Sequence, residues 1–391
     1  MTDSIDVIFD ELNRVHDRGS AVAAAEKLAT WFRDRHEYHR LFEARKFAAR
    51  IRAGVSPFFI QRSPQLSADQ NKAIETELLA ACREVGELLA RSGQPGAAWT
   101  YLQPLDDLDF VRQVLEQVPR NEESLSELIQ ICLFERAHPE FGYSLVLEEL
   151  GTCQAISAFD SALPGLDSEQ RAALAERLIR HMHRELTANV RSAISRANPT
   201  VAVQIESADL AQLLEQHRDK IRQSTPHLDA THLVSAMRIG RLLTSPMALG
   251  EALSLARYGE LLPPLLQYAS EPPFTETYPD HVVYFQTLVS GDSSAAVARF
   301  LERSQQTASP LDRSAAAEIA VDLLLRCGKT EEAAALSLRQ GADFGSAGIA
   351  PGLIEIAGRL EKPDSILKFL REQQDVLAFA AVRLRQATSA P

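Results

Sequence analysis

The sequence predicts an all-α fold of stacked helical hairpins forming a curved, solenoid-like array, and three observations lead there. Apolar residues recur at helical spacing along nearly the whole chain. Alternating apolar and polar runs with β-branched bias are almost absent, Thr200 to Ile205 being the one candidate strand. Three times a leucine-rich segment runs into a glycine followed five residues later by alanine: Gly93 and Ala98, Gly291 and Ala296, Gly328 and Ala333. Glycine lets the backbone turn into the left-handed region, and a small side chain lets a second helix approach the first.

From the N-terminus, Ile5, Ile8, Leu12 and Val15 form one apolar stripe. Val22, Ala25, Leu28, Ala29 and Phe32 form the next, with Ser20 as its expected cap. Leu41, Phe42 and Ala48 mark a third helix, ended by Gly54 and Pro57. The Ser67-x-x-Gln70 spacing reads as a capping box opening a helix through Ile74, Ala81, Val85 and Leu88. Beyond Gly93, Pro95 suits the first turn of a helix through Trp99 and Leu102, where its missing N–H costs little. Helices are expected at 107–118 and 121–137, then between Pro139 and Gly151.

After the Leu163-Pro164-Gly165 break comes the longest predicted helix, 168–196, with Leu174, Leu178, Ile179, Met182, Leu186, Val190 and Ile194 on one face. Breaks at Asn198-Pro199, Thr225-Pro226 and Glu271-Pro272-Pro273 follow. We place the division at Pro226, giving a helical region 1–225 built on the long spine helix and a repeat region 226–391. In the latter, 281–290 pairs with 292–305 and 312–327 with 329–340.

At these residues the chain resembles tetratricopeptide-type repeats. Gly291, Ala296 and Phe300 match that family's glycine, alanine and aromatic spacing, whereas Gly328 and Ala333 are followed by Ser337 where the aromatic belongs. Gly93, Ala98 and Leu102 match more loosely, and the family's tryptophan and leading tyrosine are mostly missing. The resemblance implies a right-handed helical stack whose groove takes a peptide or protein partner.

Composition bounds the function. At 391 residues the chain exceeds the size at which one globular core stops growing, and its 45% hydrophobic and 24% charged content is that of a globular protein. A net charge of −12 works against nucleic acid and anionic membranes, and no stretch reaches the roughly 18 apolar residues of a membrane span. Cys82, Cys132, Cys153 and Cys327 are scattered within apolar helical patterns, so free buried thiols and a reducing, cytoplasmic setting are expected. The acidic N-terminus carries no basic-then-apolar leader. Phosphate-cradling glycine loops and the serine-hydrolase elbow have no match.

Two functional expectations compete. In the first, the chain is a non-catalytic scaffold or adaptor. Arg177, Arg180, Arg184 and Arg191 share one face of the long helix and could take an acidic partner, and Tyr268, Phe274 and Tyr278 decorate a proline-stiffened stretch that could line a groove or pack on neighbouring helices. A second basic run, Arg33 to Arg52, could bind anions or pair with the next helix. In the second, the chain is a metal-dependent enzyme using zinc, iron or manganese. Seven of the ten histidines lie between residues 138 and 281, and Glu135 and His138 have the spacing that points two ligands inward from one helix. His227, Asp229, His232 and His281 would complete the set. Each has an alternative role: His138 at a helix end ahead of Pro139, Asp229 as the cap of the helix through Leu233, and Asp280 as the cap of the helix through Phe285. The His36-Glu37-Tyr38-His39 run is one residue too short for the metalloprotease motif and reads as a polar helix start.

Overall fold

The structure is a computed structural model that describes residues 5–58, 66–201, 205–224, 226–341 and 344–389. Every regular element in it is a helix, and no strand occurs among the described residues. The candidate strand begins instead with a 3-10 turn, Pro199–Val201, and its residues 202–204 lie outside the described residues. No helix among the described residues is long and apolar enough to cross a membrane.

Two compact units are present, residues 1–170 and 171–391. The sequence division at Pro226 follows chain breakers, whereas the compact units divide inside the long helix, between Gln170 and Arg171.

In the first unit, the helices Arg18–Asp34, Tyr38–Arg52, Ala68–Arg91 and Pro95–Leu102 pack in chain order, each against the next. The first of these starts one turn earlier than expected: Asp17 is the cap and Ser20 completes the capping box from inside the helix. Ser67 and Gln70 form the box that the spacing predicts, with Gln70 N donating to Ser67 Oγ at 3.1 Å and Ser67 N to Gln70 Oε1 at 3.0 Å. Pro95 occupies the first turn of its helix. Gly86 allows the close crossing beyond Gly93, since a Cβ there would lie 2.7 Å from the Leu102 side chain. Leu41, Val85, Leu89, Ala98, Leu102 and Leu115 form the core of this unit.

In the second unit, the spine helix Ser168–Ala197 buries its predicted stripe, with Leu174, Leu178, Ile179, Met182, Leu186 and Val190 fully inaccessible. Each such side chain contributes about 1.5–3 kcal/mol relative to exposure. The helices Pro246–Gly259 and Thr277–Ser290 form a tight pair. Ser294–Gln306 packs on Pro310–Arg326, which packs on Thr330–Gln340.

All three turn glycines have positive φ, 76° at Gly93, 76° at Gly291 and 75° at Gly328. The residues five and nine positions later are all buried: Ala98 and Leu102, Ala296 and Phe300, Ala333 and Ser337. One hairpin departs from the close packing expected. The two helices joined by Gly291 have few close backbone approaches; Arg299 and Arg303 of the second reach Asp280 of the first, and the Phe300 ring meets Phe274 just ahead of it.

Candidate docking groove

Three pieces of the first unit enclose a groove of ≈ 660 Å³: the start of Pro95–Leu102, the helix Glu122–Ile129 with its extension, and the end of the helix beginning at Pro139. Asn121 caps the second piece through a box with Ser124, whose N–H donates to Asn121 Oδ1 at 2.9 Å. This helix then widens into a π-helical turn, Gln130–Phe134, and the third piece does the same over Val146–Leu150. Such turns interrupt the 3.6-residue register and are frequent at functional sites. Here each ends on a large apolar residue left in solvent, Phe134 at 41% and Leu150 at 49% exposure. Arg136 at φ 64° and Gly151 at φ 81° follow just beyond these turns.

Phe134 and Leu150 line the groove with Trp99, Leu125, Ile129 and Ile131. Three carboxylates share the lining, Glu122, Glu127 and Glu135, and among the described residues no Lys, Arg or His does. Gly96 N donates to Glu127 Oε2 at 2.8 Å, and Trp99 Nε1 donates to Glu135 Oε2 at 2.5 Å. A Cβ at Gly96 would stand 2.9 Å from the Glu127 carboxylate, so the glycine permits this close wall. The arrangement is an open apolar surface with fixed negative charge, suited to apolar side chains flanked by cations.

Of the candidate site residues singled out from the sequence, Glu135 lines this groove and the others lie elsewhere. Of the metal candidates, Glu135 and His138 belong to the first unit and the other four to the second. His138 stands just ahead of the helix that begins at Pro139, with φ −155°, and its Nε2 lies 2.9 Å from Glu116 Oε1 rather than on free carbonyls. Asp229 caps its helix, accepting from Thr231 N at 2.8 Å. His227 Nδ1 lies 3.2 Å from the Tyr258 hydroxyl and its Nε2 3.3 Å from Ser224 Oγ, and burial lowers its pKa. Asp229 Oδ1 also accepts from His232 N. Among the described residues no three His, Cys, Asp or Glu side chains come together as a metal ligand set. The His36 and His39 rings lie 2.7 Å from the hydroxyls of Tyr38 and Tyr101, at the start of a helix.

The basic face of the spine helix is largely engaged within its own unit. Arg180 pairs with Glu176 and lies 3.9 Å from Glu251, and Arg191 donates to the Ala208 carbonyl at 2.7 Å. Arg177 also has a partner, and Arg184 is exposed. The Arg33–Arg52 run pairs across helices, Arg33 with Glu84, Arg45 with Glu26 and Glu84, and Arg52 with Glu26 and Glu77.

The proline-rich stretch needs a correction. Phe274 and Tyr278 are fully buried, so of the three aromatics only Tyr268, 45% exposed, can meet a partner. Phe274 stacks on His281 with ring centroids 4.3 Å apart and meets Phe300 edge-on at 5.1 Å. The buried Asp280 receives Arg299 Nε and Arg303 Nη2, each at 2.7 Å, and Glu276 N at 2.8 Å. It therefore lies inside the first turn of its helix rather than at the cap. Burial pushes its carboxyl pKa up, against the pull of the arginines. His281 is also fully buried, with Nδ1 on the Thr277 carbonyl at 2.6 Å, and desolvation lowers its pKa to about 3. The thiols are corrected too: Cys82 and Cys132 are buried, Cys327 is half-buried and Cys153 is exposed.

Sequence reading missed Glu122, Glu127, Leu125, Ile129, Phe134 and Leu150. A signal was present, because 125–134 holds more large apolar residues than one helical face can bury.

No protein-family model matches this chain, and no curated protein matches it.

Proposed function

We propose that the protein is a non-catalytic helical scaffold or adaptor, related in plan to tetratricopeptide-like arrays, that binds a protein or peptide partner in the cytoplasm. The observation that supports this most strongly is the groove of the first unit, where Phe134 and Leu150 stand in solvent beside three carboxylates with no cation in the lining. Large exposed apolar groups gathered in one depression are a feature of interaction sites rather than of inert surface. The free cysteines accord with a reducing compartment. In the second unit, by contrast, Asp280 is engaged by Arg299 and Arg303, and Arg326 by Tyr284.

The test is site-specific photocrosslinking in cells, with the reactive residue placed at 134, at 150 and, as a control, at Leu265, which is 91% exposed. A common adduct from 134 and 150 that is absent from 265, and lost in Leu125→Asp, is the expected result. Equal labelling from all three positions, or none from 134 and 150, would overturn the reading.

A further inference from the structure

The carboxylates of the first-unit groove are held in place rather than free to swing. Glu127 is fixed by the Gly96 N–H and Glu135 by the Trp99 indole N–H, each through Oε2, which leaves Oε1 of each unpaired among the described residues. Glu122, in the first turn of its helix, is exposed and joins no ion pair among the described residues. The neighbouring cations along the chain are engaged elsewhere. Arg136 donates to the Gly165 carbonyl at 2.7 Å, and Arg120 lies 3.4 Å from Glu148 and 3.8 Å from Glu149, on the turn that ends at Leu150. Negative charge therefore continues past the rim of the groove, where two carboxylates share one arginine.

The walls also restrict the backbone of an occupant. Each is a helix whose main-chain groups pair within it, so an extended segment finds no sheet edge to join. A helical segment pairs its own backbone and needs none. With its side chains a helix is about 10 Å across and fills about 400 Å³ per turn, so ≈ 660 Å³ seats one face of a short helix. We propose that the occupant is a basic amphipathic helix of another protein. Its apolar residues, at i, i+3 or i+4 and i+7, meet Phe134, Leu150, Leu125 and Ile129, and Lys or Arg on its flanks meet Glu122, Glu127 and Glu135. This inference rests on the reading of the groove as a docking site and adds the conformation and charge of what docks there. Exposed ion pairs contribute little singly, so the apolar face carries the affinity and the carboxylates reject acidic helices. The net charge of −12 steers the same class of partner at long range.

The experiment is fluorescence anisotropy of labelled peptides of about 18 residues, long enough to hold a helix, titrated with the full chain. The probes carry leucines at helical spacing on an alanine background, in several registers, with lysines on the flanks. One control series has glutamate for lysine, and another has a central proline that breaks the helix. The best lysine helix is expected to bind about tenfold or more tighter than its controls and to weaken severalfold as salt rises. Phe134→Asp should weaken it about tenfold or more, although general attraction to an acidic protein would only grow with the added charge. Glu122→Lys/Glu135→Gln, checked for folding by circular dichroism, should shrink the preference for lysine over glutamate. Equal binding of the lysine and glutamate helices, equal binding of the proline peptides, or binding untouched by Phe134→Asp would each overturn the proposal. So would self-association of the chain that Phe134→Asp abolishes, since a second copy would then hold the groove. Crosslinks from 134 and 150 without binding of any lysine helix would overturn this proposal and leave the groove reading standing. Absence of both would remove the two together.

Discussion

Each compact unit gathers aromatic rings and charged side chains in one place, and the two gatherings have opposite outcomes. In the second unit Phe274, His281, Phe285 and Phe300 are fully buried, and Asp280 is held by two arginines and a backbone N–H. In the first unit Phe134 and Leu150 stay exposed, and among the described residues the carboxylates beside them meet Gly96 N and Trp99 Nε1 alone. The ingredients are alike; what differs is whether the surrounding helices supply partners. Burial with pairing makes a structural centre, and exposure without pairing leaves an open apolar and acidic surface.

Asp280→Ala gives the strongest test of that contrast. It leaves Arg299 and Arg303 without their buried carboxylate and should cost about 3–5 kcal/mol in chemical denaturation. A loss under 1 kcal/mol, as for exposed pairs, would remove the distinction between the two clusters.

Gly259→Ala probes the packing beside the same centre. A Cβ there would fall 2.1 Å from the Tyr278 ring, so a loss of about 1–3 kcal/mol is expected from overpacking. Gly291→Ala has open space around it and strains only the backbone, at about 1–2 kcal/mol. Crystal structures of the two variants should show a displaced Tyr278 in the first and unmoved neighbours in the second.

The pH dependence carries a third signature. His281 has its folded pKa near 3, below the roughly 6.5 of an unfolded histidine. Between those values the unfolded chain binds the proton and the folded chain does not. The contribution of the neutral ring is therefore complete above about pH 6.5 and declines as pH falls toward 3, by at most about 1.4 kcal/mol per unit. Stability measured at pH 7, 6 and 5 should fall more steeply in wild type than in His281→Leu, and parallel slopes would contradict this.

The smallest effect belongs to the groove. Phe134→Asp should change stability by less than about 0.5 kcal/mol, as surface substitutions do, while abolishing groove crosslinks. A cooperative loss of several kcal/mol would mean that Phe134 is part of the core.

Much of the fold was legible because its determinants are local. The turn glycines, the Ser67–Gln70 box, Pro95 and the spine stripe depend on residues within a few positions of one another. Gly259 was not legible, because the Tyr278 ring that requires it arrives from another helix. The same limit governed the site. Helical spacing put Arg180 and Arg191 on one face, yet it carries no information on Glu251 or the Ala208 carbonyl, which engage them. For Phe274 and Tyr278 the sequence leaves open whether they line a groove or pack on neighbouring helices, and the structure buries both. The groove depends on two π-helical turns, which shift side chains off the spacing that helix patterns assume.

Glu318, on the helix Pro310–Arg326, is fully buried, and its carboxylate accepts from Ser314 Oγ and from the backbone N–H groups of Gly345, Ala347, Ile349 and Ala350. The path of that loop is thus written in a residue outside it. Since the loop answers with main-chain groups, the hydrogen bonds that hold it do not depend on its side-chain identities, provided Gly345 and Gly348 keep their positive φ. The segment is a natural place to graft an epitope or a spectroscopic label, since four of its main-chain groups are gathered by one buried carboxyl group.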